Sequence, residues 1–555
     1  MKASVEQALL ELIERLFNAQ LDLQLTRPDP RFGDYTTNVA LRLAGTVQQA
    51  PRQVAEAIVA DLEAQSIDWL HDVQIAGPGF INLTLTDAAL LSQLESLQPT
   101  QTYANKIVVA EYSDPNPFKV LHAGHFYTSV VGDAIANLVA AAGAEVHRVN
   151  FGGDVGMHVG KTMWAIIDEL KSESPELLQT VPSDKRSEWL AAAYVRGNNL
   201  YEDNADIKAE MVALNKRIYD IVNTDDHTSD LAQLYWTCRQ WSYDYFDAFY
   251  ERIATQFEKY YPESQTAAIG LATVKEHIGS VFSESDGAIV FKGEDYGLHT
   301  RVFINNQGIP TYEAKDVGLI IKKQEDYKFD ESIIITGNEQ AQYMAVVLKA
   351  IEQFAPELAQ ATTHRTHGIV KLAGNVKMSS RRGNILRAVD VLDAAAEANQ
   401  VATGKDDPAV VLGAIKYAFL KNRLGGDIIY DPADSVALEG NSGPYLQYAL
   451  VRARSIQRKA IEAASTPTDL DVAERQLVLK LSQYVETVDL AVAEYFPHHI
   501  CGYLYELAQV FNRFYEQSRV LDDPRTPQRL ALLGIYADVL QNGLSLLGIP
   551  APESM

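Results

Sequence analysis

The sequence predicts an α/β protein: a parallel-sheet core with a helical insertion, a small α/β unit ahead of it and an all-α bundle behind it. Three observations carry this prediction. A β-rich run, a long helical pattern and a second β-rich run follow one another across residues 107–150, the spacing of a βαβ unit, whose crossover is right-handed by default. Further short apolar runs return only after a long helical stretch. Beyond about residue 405 helical periodicity takes over almost completely.

In the first unit, residues 1–100, Leu9, Leu10, Ile13, Leu16 and Phe17 share one helical face, and Val54, Ala57 and Ile58 mark a second amphipathic helix. Val73–Ala76, the turn Gly77-Pro78-Gly79 and Phe80–Leu85 read as strand, turn and strand. A polar linker, Gln98–Asn105, leads to the second unit, residues 105–400. There Ile107–Tyr112 is a strand, Ser113-Asp114-Pro115-Asn116-Pro117 a turn, and a helix runs from near His122 to Ala142. Val146–Asn150 is the next strand and opens into Gly152-Gly153-Asp154-Val155-Gly156. Residues 160–262 read as the helical insertion, rich in aromatics such as Tyr235 and Trp241. Strands are expected again at Ala288–Phe291, Thr300–Ile304, Ser332–Thr336 and Gly368–Leu372. In the third unit, 405–555, Ile500, Tyr503, Leu504, Leu507, Phe511 and Phe514 keep helix spacing, as a bundle requires.

The chain of 555 residues carries 48 Lys+Arg against 73 Asp+Glu, a net charge of −25, which argues against a protein that grips anionic polymers with its whole surface. Two cysteines, Cys238 and Cys501, cannot build a disulfide framework or a thiolate zinc cluster, and they suit a reducing compartment. Met1 to Leu16 carries Glu6, Glu11 and Glu14 and lacks the apolar core of a secretory signal. No apolar run approaches the roughly 18 residues that span a bilayer. A cytoplasmic protein with no membrane partner is expected.

Two motifs carry chemistry. His122-Ala123-Gly124-His125 falls where a turn becomes a helix, with free amide groups at the helix end and small residues that let a nucleotide approach the backbone. By itself this pattern fits a capped helix with two surface histidines equally well. The second motif is Lys377-Met378-Ser379-Ser380-Arg381-Arg382-Gly383-Asn384. Between Leu358 and Val389 there is no acidic residue, whereas Arg365, Lys371, Lys377, Arg381, Arg382 and Arg387 are basic. Such a segment can neutralise charge that develops on a polyphosphate.

The pair resembles the HIGH and KMSKS signatures of class I aminoacyl-tRNA synthetases, and the surrounding residues resemble the arginyl-tRNA synthetase family. Glu111-Tyr112-Ser113-Asp114-Pro115-Asn116, Thr311-Tyr312-Glu313-Ala314-Lys315-Asp316 and Asn441-Ser442-Gly443-Pro444-Tyr445-Leu446-Gln447-Tyr448 are similar to its motifs, as are Phe32-Gly33-Asp34-Tyr35 and Gly77–Asn82 near the start. The resemblance implies a Rossmann-like catalytic domain, an additional N-terminal tRNA-binding domain and a C-terminal helical anticodon-binding domain. It implies ATP-dependent attachment of L-arginine to tRNA(Arg) through an arginyl-adenylate. ATP with Mg2+ would be co-substrate, with no tightly bound metal or organic cofactor, and the chain would act as a monomer.

The same resemblance assigns residues. His122, His125, Lys377 and Lys119 would be catalytic, Lys119 standing in for the second lysine of KMSKS, whose place Ser380 takes. His122, Gly124, His125, Gly153, Asp154, Met378, Ser379 and Ser380 would contact ATP. Glu111, Asn116, Glu263, Tyr312, Asp316 and Gln340 would hold arginine, whose planar cation needs carboxylates in bidentate reach and an aromatic wall. Phe80, Asn82, Tyr445, Gln447, Arg452 and Arg454 would contact tRNA by stacking and phosphate pairing. The chain departs from the family at Phe126-Tyr127-Thr128, where Leu-Arg-Ser is common, at His158 in place of a frequent glutamine, and at Tyr343 in place of a frequent histidine. An enzyme of the wider superfamily adenylating another molecule, or a tRNA-binding paralogue without catalysis, are the competing readings.

Overall fold

A computed structural model describes residues 2–373 and 386–555, which form two compact units, each assembled from separate stretches of chain. The first comprises Met1–Pro99, Ala449–Val488 and Tyr503–Asn542. Its opening helix, Lys2–Phe17, buries Val5, Leu9, Leu12 and Ile13, one stripe at helical spacing. Three antiparallel strands follow, β1 (Tyr35–Thr37), β2 (Leu70–Ala76) and β3 (Phe80–Leu85), with β3 in the centre. The Phe32–Tyr35 segment ties this sheet to the C-terminal helices of the same unit. Buried Asp34 accepts hydrogen bonds from Leu85 N at 2.7 Å and from Arg475 at 2.6 Å. The Tyr35 hydroxyl meets Glu486 at 3.2 Å, and Arg27 lies 4.2 Å over the Tyr35 ring while pairing with Glu486 at 2.8 Å.

The second unit comprises Thr100–Tyr448, Asp489–Gly502 and Gly543–Met555. Its centre is a parallel sheet of β4 (Ile107–Glu111), β5 (Glu145–Gly152), β6 (Lys259–Pro262), β10 (Glu331–Gly337) and β11 (Thr362–His367), in the order β11-β10-β4-β5-β6. Val108, Val109, Ala110 and Ile333 are fully buried, as strands covered on both faces must be. Helix Ala123–Ala141 crosses between β4 and β5. Between β6 and β10 lies a small antiparallel sheet of β7 (Ser283–Ser285), β8 (Ala288–Phe291) and β9 (Arg301–Ile304). Strands β12 (Val370–Leu372) and β13 (Ile428–Tyr430) pair in parallel apart from the main sheet. Among the described residues no helix is long and apolar enough to cross a membrane.

Two strand assignments differ from the sequence reading. Helices Met157–Leu170, Arg186–Asp203, Ala205–Asn223 and Asp230–Arg252 form the insertion, but residues 259–262 leave it and become edge strand β6 beside β5. Four residues ending in proline carry no alternation to announce a strand, and an edge tolerates the missing donor. At the other edge, Thr362–His367 is polar throughout and shows no apolar pattern, so the sequence points instead to the apolar run after it. That run pairs with Ile428–Tyr430 instead of the main sheet.

Helices Glu263–Glu276 and Tyr312–Tyr327 cross with their backbones in contact. A methyl group on Gly270 would fall 1.8 Å from the Ala314 carbonyl oxygen, and one on Gly318 2.1 Å from that of Thr266. This approach sets the separation of Glu263 from Asp316, one on each helix. Gly270→Ala gains about 1 kcal/mol of helix propensity. It loses more by forcing the helices apart, since overpacking costs about 1–3 kcal/mol even against yielding side chains. A lowered urea midpoint is therefore expected, and an unchanged or raised one contradicts the close crossing.

Candidate active site

A cavity of about 760 Å³ opens at the carboxyl ends of the parallel strands, where such sheets bind ligands. Every strand delivers a lining residue at or just past its end: Glu111 from β4, Gly152 from β5, Glu263 after β6, Gly337 from β10 and His367 from β11. The turn after β4 holds Ser113, Asp114 and Phe118 at φ of 76°, 46° and 67°, a left-handed conformation that costs non-glycine residues energy. Hydrogen bonds fix it there. Asp114 accepts from Phe151 N at 2.9 Å, Asn116 from Gly153 N at 2.7 Å, and Ser242 from Phe118 N at 2.9 Å.

His122 caps helix Ala123–Ala141. Its Nδ1 accepts from the amides of Gly124 at 3.1 Å and His125 at 3.3 Å, while His125 Nδ1 accepts from His122 N at 3.2 Å. The two rings stack at 3.7 Å. Desolvation is the first cause that depresses both imidazoles. Glu339 opposes it at His122, whereas His122 and Lys119 add to it at His125. Both rings are therefore neutral at pH 7, and with Nδ1 accepting, each offers Nε2–H as its donor. Glycine is required between them, since a methyl group on Gly124 would lie 2.8 Å from the His122 ring.

The rest of the cavity lining is strongly acidic. Glu111, Asp114, Glu263, Glu313, Asp316 and Glu339 line the cavity, and among the described residues Arg301 is the one lysine or arginine that does. Buried Glu263 pairs with Lys315 at 2.6 Å, and its carboxyl is raised by burial against the opposing pull of Lys315. Glu111 is bonded by fully buried Lys323, which also reaches Ser332 Oγ at 2.9 Å. Glu313 pairs with Arg301 at 3.1 Å. Asp114, Asp316 and Glu339 have no ion-pair partner among the described residues, and of these Asp316 is the buried one, receiving a hydrogen bond from the Tyr343 hydroxyl. Burial first, then Glu111 and Glu263, push its carboxyl up to about 8, with Tyr343 and Lys323 opposing.

The structure thus brings His122, Gly124, His125, Gly153, Glu111, Asn116, Glu263, Tyr312, Asp316 and Gln340 to one cavity. Lys377, Met378, Ser379 and Ser380 lie outside the described residues. Lys119 is not on the wall, and its ammonium rests 5.2 Å over the Tyr194 ring. Asp154, expected at the nucleotide, is instead fully buried and structural. It accepts from Ser264 N at 3.0 Å and Ser264 Oγ at 2.8 Å, and pairs with Arg239 at 3.1 Å. His158 Nε2 lies 2.7 Å from the Gly153 carbonyl, so it holds the glycine turn, and burial drives its imidazole down to about 3. Lys315, Lys323 and Arg301, the cations that balance the acidic wall, were not singled out by sequence. Lys315 and Lys323 reveal themselves only through partners 52 and 212 residues away, and Arg301 through one 12 residues away.

Of the RNA candidates, Phe80 is 40% exposed, but Asn82 is 8% exposed, covered on the central strand between Thr36 and Gln74. Gln447 is fully buried and spends its amide on the carbonyls of Ala409 at 2.9 Å and Pro550 at 2.8 Å, so it has no surface to offer RNA. Tyr445 is half-buried. Arg452 lies 4.4 Å over the Tyr515 ring, and Arg454 bonds Gln541.

Gly124→Ala tests the histidine pair. The added methyl displaces the His122 ring, and misplacement of about 1 Å in a catalytic group can cost on the order of 100-fold. A drop in turnover of roughly 10- to 100-fold is expected, and an unchanged rate contradicts this placement.

Comparison with known proteins now bears on the site. Residues 86–431 match the family model for the catalytic domain of class I (R) tRNA synthetases, residues 1–85 the arginyl-tRNA synthetase N-terminal domain and residues 446–555 the DALR anticodon-binding domain. The arginine–tRNA ligase of Bacteroides fragilis is 28% identical over 97% of this chain and 96% of its own. That of Bdellovibrio bacteriovorus is 29% identical over 92% and 91%. In fold, the chain is similar to the Thermus thermophilus arginyl-tRNA synthetase, with a TM-score of 0.80 at 24% identity over the whole of both chains. With its catalytic-domain match extending over more than half its length, the chain belongs to the class I arginyl-tRNA synthetases.

Proposed function

We propose that the chain attaches L-arginine to tRNA(Arg) in two steps within this cavity. The arginine carboxylate attacks the α-phosphorus of Mg·ATP, pyrophosphate leaves, and arginyl-adenylate forms. The terminal ribose hydroxyl of tRNA then attacks the arginyl carbonyl, and AMP leaves. One observation carries the reading: an acidic wall whose buried Asp316 has no ion-pair partner among the described residues. Such a carboxylate suits a permanently charged guanidinium, with Tyr312 as the aromatic wall. The neutral histidines and the helix N-terminus at the other end suit the phosphates, through Nε2–H donors and amide groups. Catalysis is then mainly positioning and charge stabilisation. Lys377 and Lys119 belong to the same reading as phosphate-neutralising cations, on family resemblance. So do a monomeric state and a cytoplasmic location. Exposed Phe80 and the cations Arg452 and Arg454, in the second half of helix 443–459, are proposed RNA contacts.

Aminoacylation of total tRNA with each amino acid in turn tests the function. Charging with arginine alone is expected, and charging with another amino acid, or none, overturns it. Asp316→Asn tests the pocket. Loss of a charge-assisted pairing worth about 1.5–3 kcal/mol raises the KM for arginine roughly 10- to 150-fold and leaves the KM for ATP close to its value.

The pH dependence follows from the raised carboxyl. In the free enzyme Asp316 is protonated below about pH 8, whereas a guanidinium needs the carboxylate. Arginine affinity should weaken by up to about tenfold per unit as pH falls below that value and level off above it. Asp316→Asn should abolish this slope. Persistence of the slope in the variant would assign it to another group.

A further inference from the structure

Three close contacts join the end of β11 to the first turns of helix Ala123–Ala141, and a neutral histidine cannot satisfy all of them. His367 Nδ1 lies 2.7 Å from the Gly368 carbonyl oxygen, and His367 Nε2 lies 2.7 Å from Thr128 Oγ1. Thr128 Oγ1 in turn lies 2.9 Å from the Gly124 carbonyl oxygen. A carbonyl oxygen only accepts, so Nδ1 must carry the proton that faces Gly368. A neutral ring then has a bare lone pair on Nε2, and the one hydroxyl hydrogen of Thr128 turns to it and away from Gly124. Only an imidazolium would release that hydrogen to Gly124. Burial lowers the His367 imidazole, with the Gly368 carbonyl and Glu339 opposing, which favours the neutral form at pH 7.

We propose that His367 is a positioning residue for the reaction, because it draws the Thr128 hydroxyl off the Gly124 carbonyl and so holds the His122–His125 turn in regular helical geometry. The step from bond to consequence is physical. A threonine hydroxyl bonded back to the carbonyl four residues earlier bends a helix. Here the bend would fall on Gly124, whose amide donates to His122 Nδ1. His367 is well placed for the task. It is 3% exposed, its ring packs edge-on against Tyr127 at 4.4 Å, and both it and Thr128 line the cavity. The inference rests on the reading of the His122–His125 turn as the phosphate-binding end.

The first test needs no substitution. In the full-length enzyme with 15N-labelled histidine at pH 7.5, His367 should show a protonated Nδ1 and a bare Nε2. The opposite tautomer, or the imidazolium, overturns the proposal. The second test separates rate from affinity in ATP–pyrophosphate exchange. His367→Asn should lower kcat by roughly three- to tenfold, the worth of one hydrogen bond, with the KM for arginine unchanged. Thr128→Val removes the hydroxyl that would bond back to Gly124, so adding it to His367→Asn should recover most of the rate, whereas adding Thr128→Ser, which keeps the hydroxyl, should not. A normal kcat in His367→Asn, or a double variant with Thr128→Val no faster than His367→Asn alone, contradicts the proposal. If the wild-type enzyme failed to charge arginine, the proposed function would fall, while the spectrum would still decide the arrangement of His367.

Discussion

The balance of buried charge on one wall of the cavity is the constraint on which the rest of the structure depends. Burying a carboxylate is costly unless a cation or several donors meet it. Glu263 is met by Lys315, Glu111 by Lys323 and Glu313 by Arg301. Among the described residues, buried Asp316 receives a hydrogen bond from the Tyr343 phenol and has no ion pair. Removing one cation from a paired site would leave a further uncompensated carboxylate, so the three pairs also define where the substrate charge belongs. A wall so arranged favours a cation as ligand and a particular place for it.

That wall exists because of backbone geometry. Glu263 opens one helix and Asp316 lies in the first turns of another, and the two helices touch at Gly270 and Gly318. The turn after β4, which leads from this wall towards the histidine pair, is held in left-handed backbone by Asp114 and Asn116, which grip the end of β5. The acidic wall and the histidine turn are thus fixed to the carboxyl ends of the same sheet. The net charge of −25 looks different in this light: much of the acid that matters is internal and matched, and it faces a small cationic substrate.

Much of this was legible in the sequence, for identifiable reasons. The runs at Ile107–Glu111 and Glu331–Gly337 are apolar because both faces of those strands are covered, and the His-Ala-Gly-His segment marks a helix start by its own chemistry. Polar edge strand Thr362–His367 gave no such signal, since an edge needs no apolar alternation. Local pattern also could not tell which polar residues face inward. Asp154, Asn82 and Gln447 read as ligand contacts until packing partners from distant segments covered them. Lys323 lies 212 residues from Glu111, a pairing that only the fold creates.

The central claim is that arginine supplies the positive charge Asp316 lacks, displacing the proton that burial keeps there. Calorimetric titration of the enzyme with arginine at pH 7, repeated in buffers of different ionisation enthalpy, measures that proton directly. Release of close to one proton per arginine bound, lost in Asp316→Asn, is the predicted result. Binding with no buffer dependence in the wild-type enzyme would contradict the account.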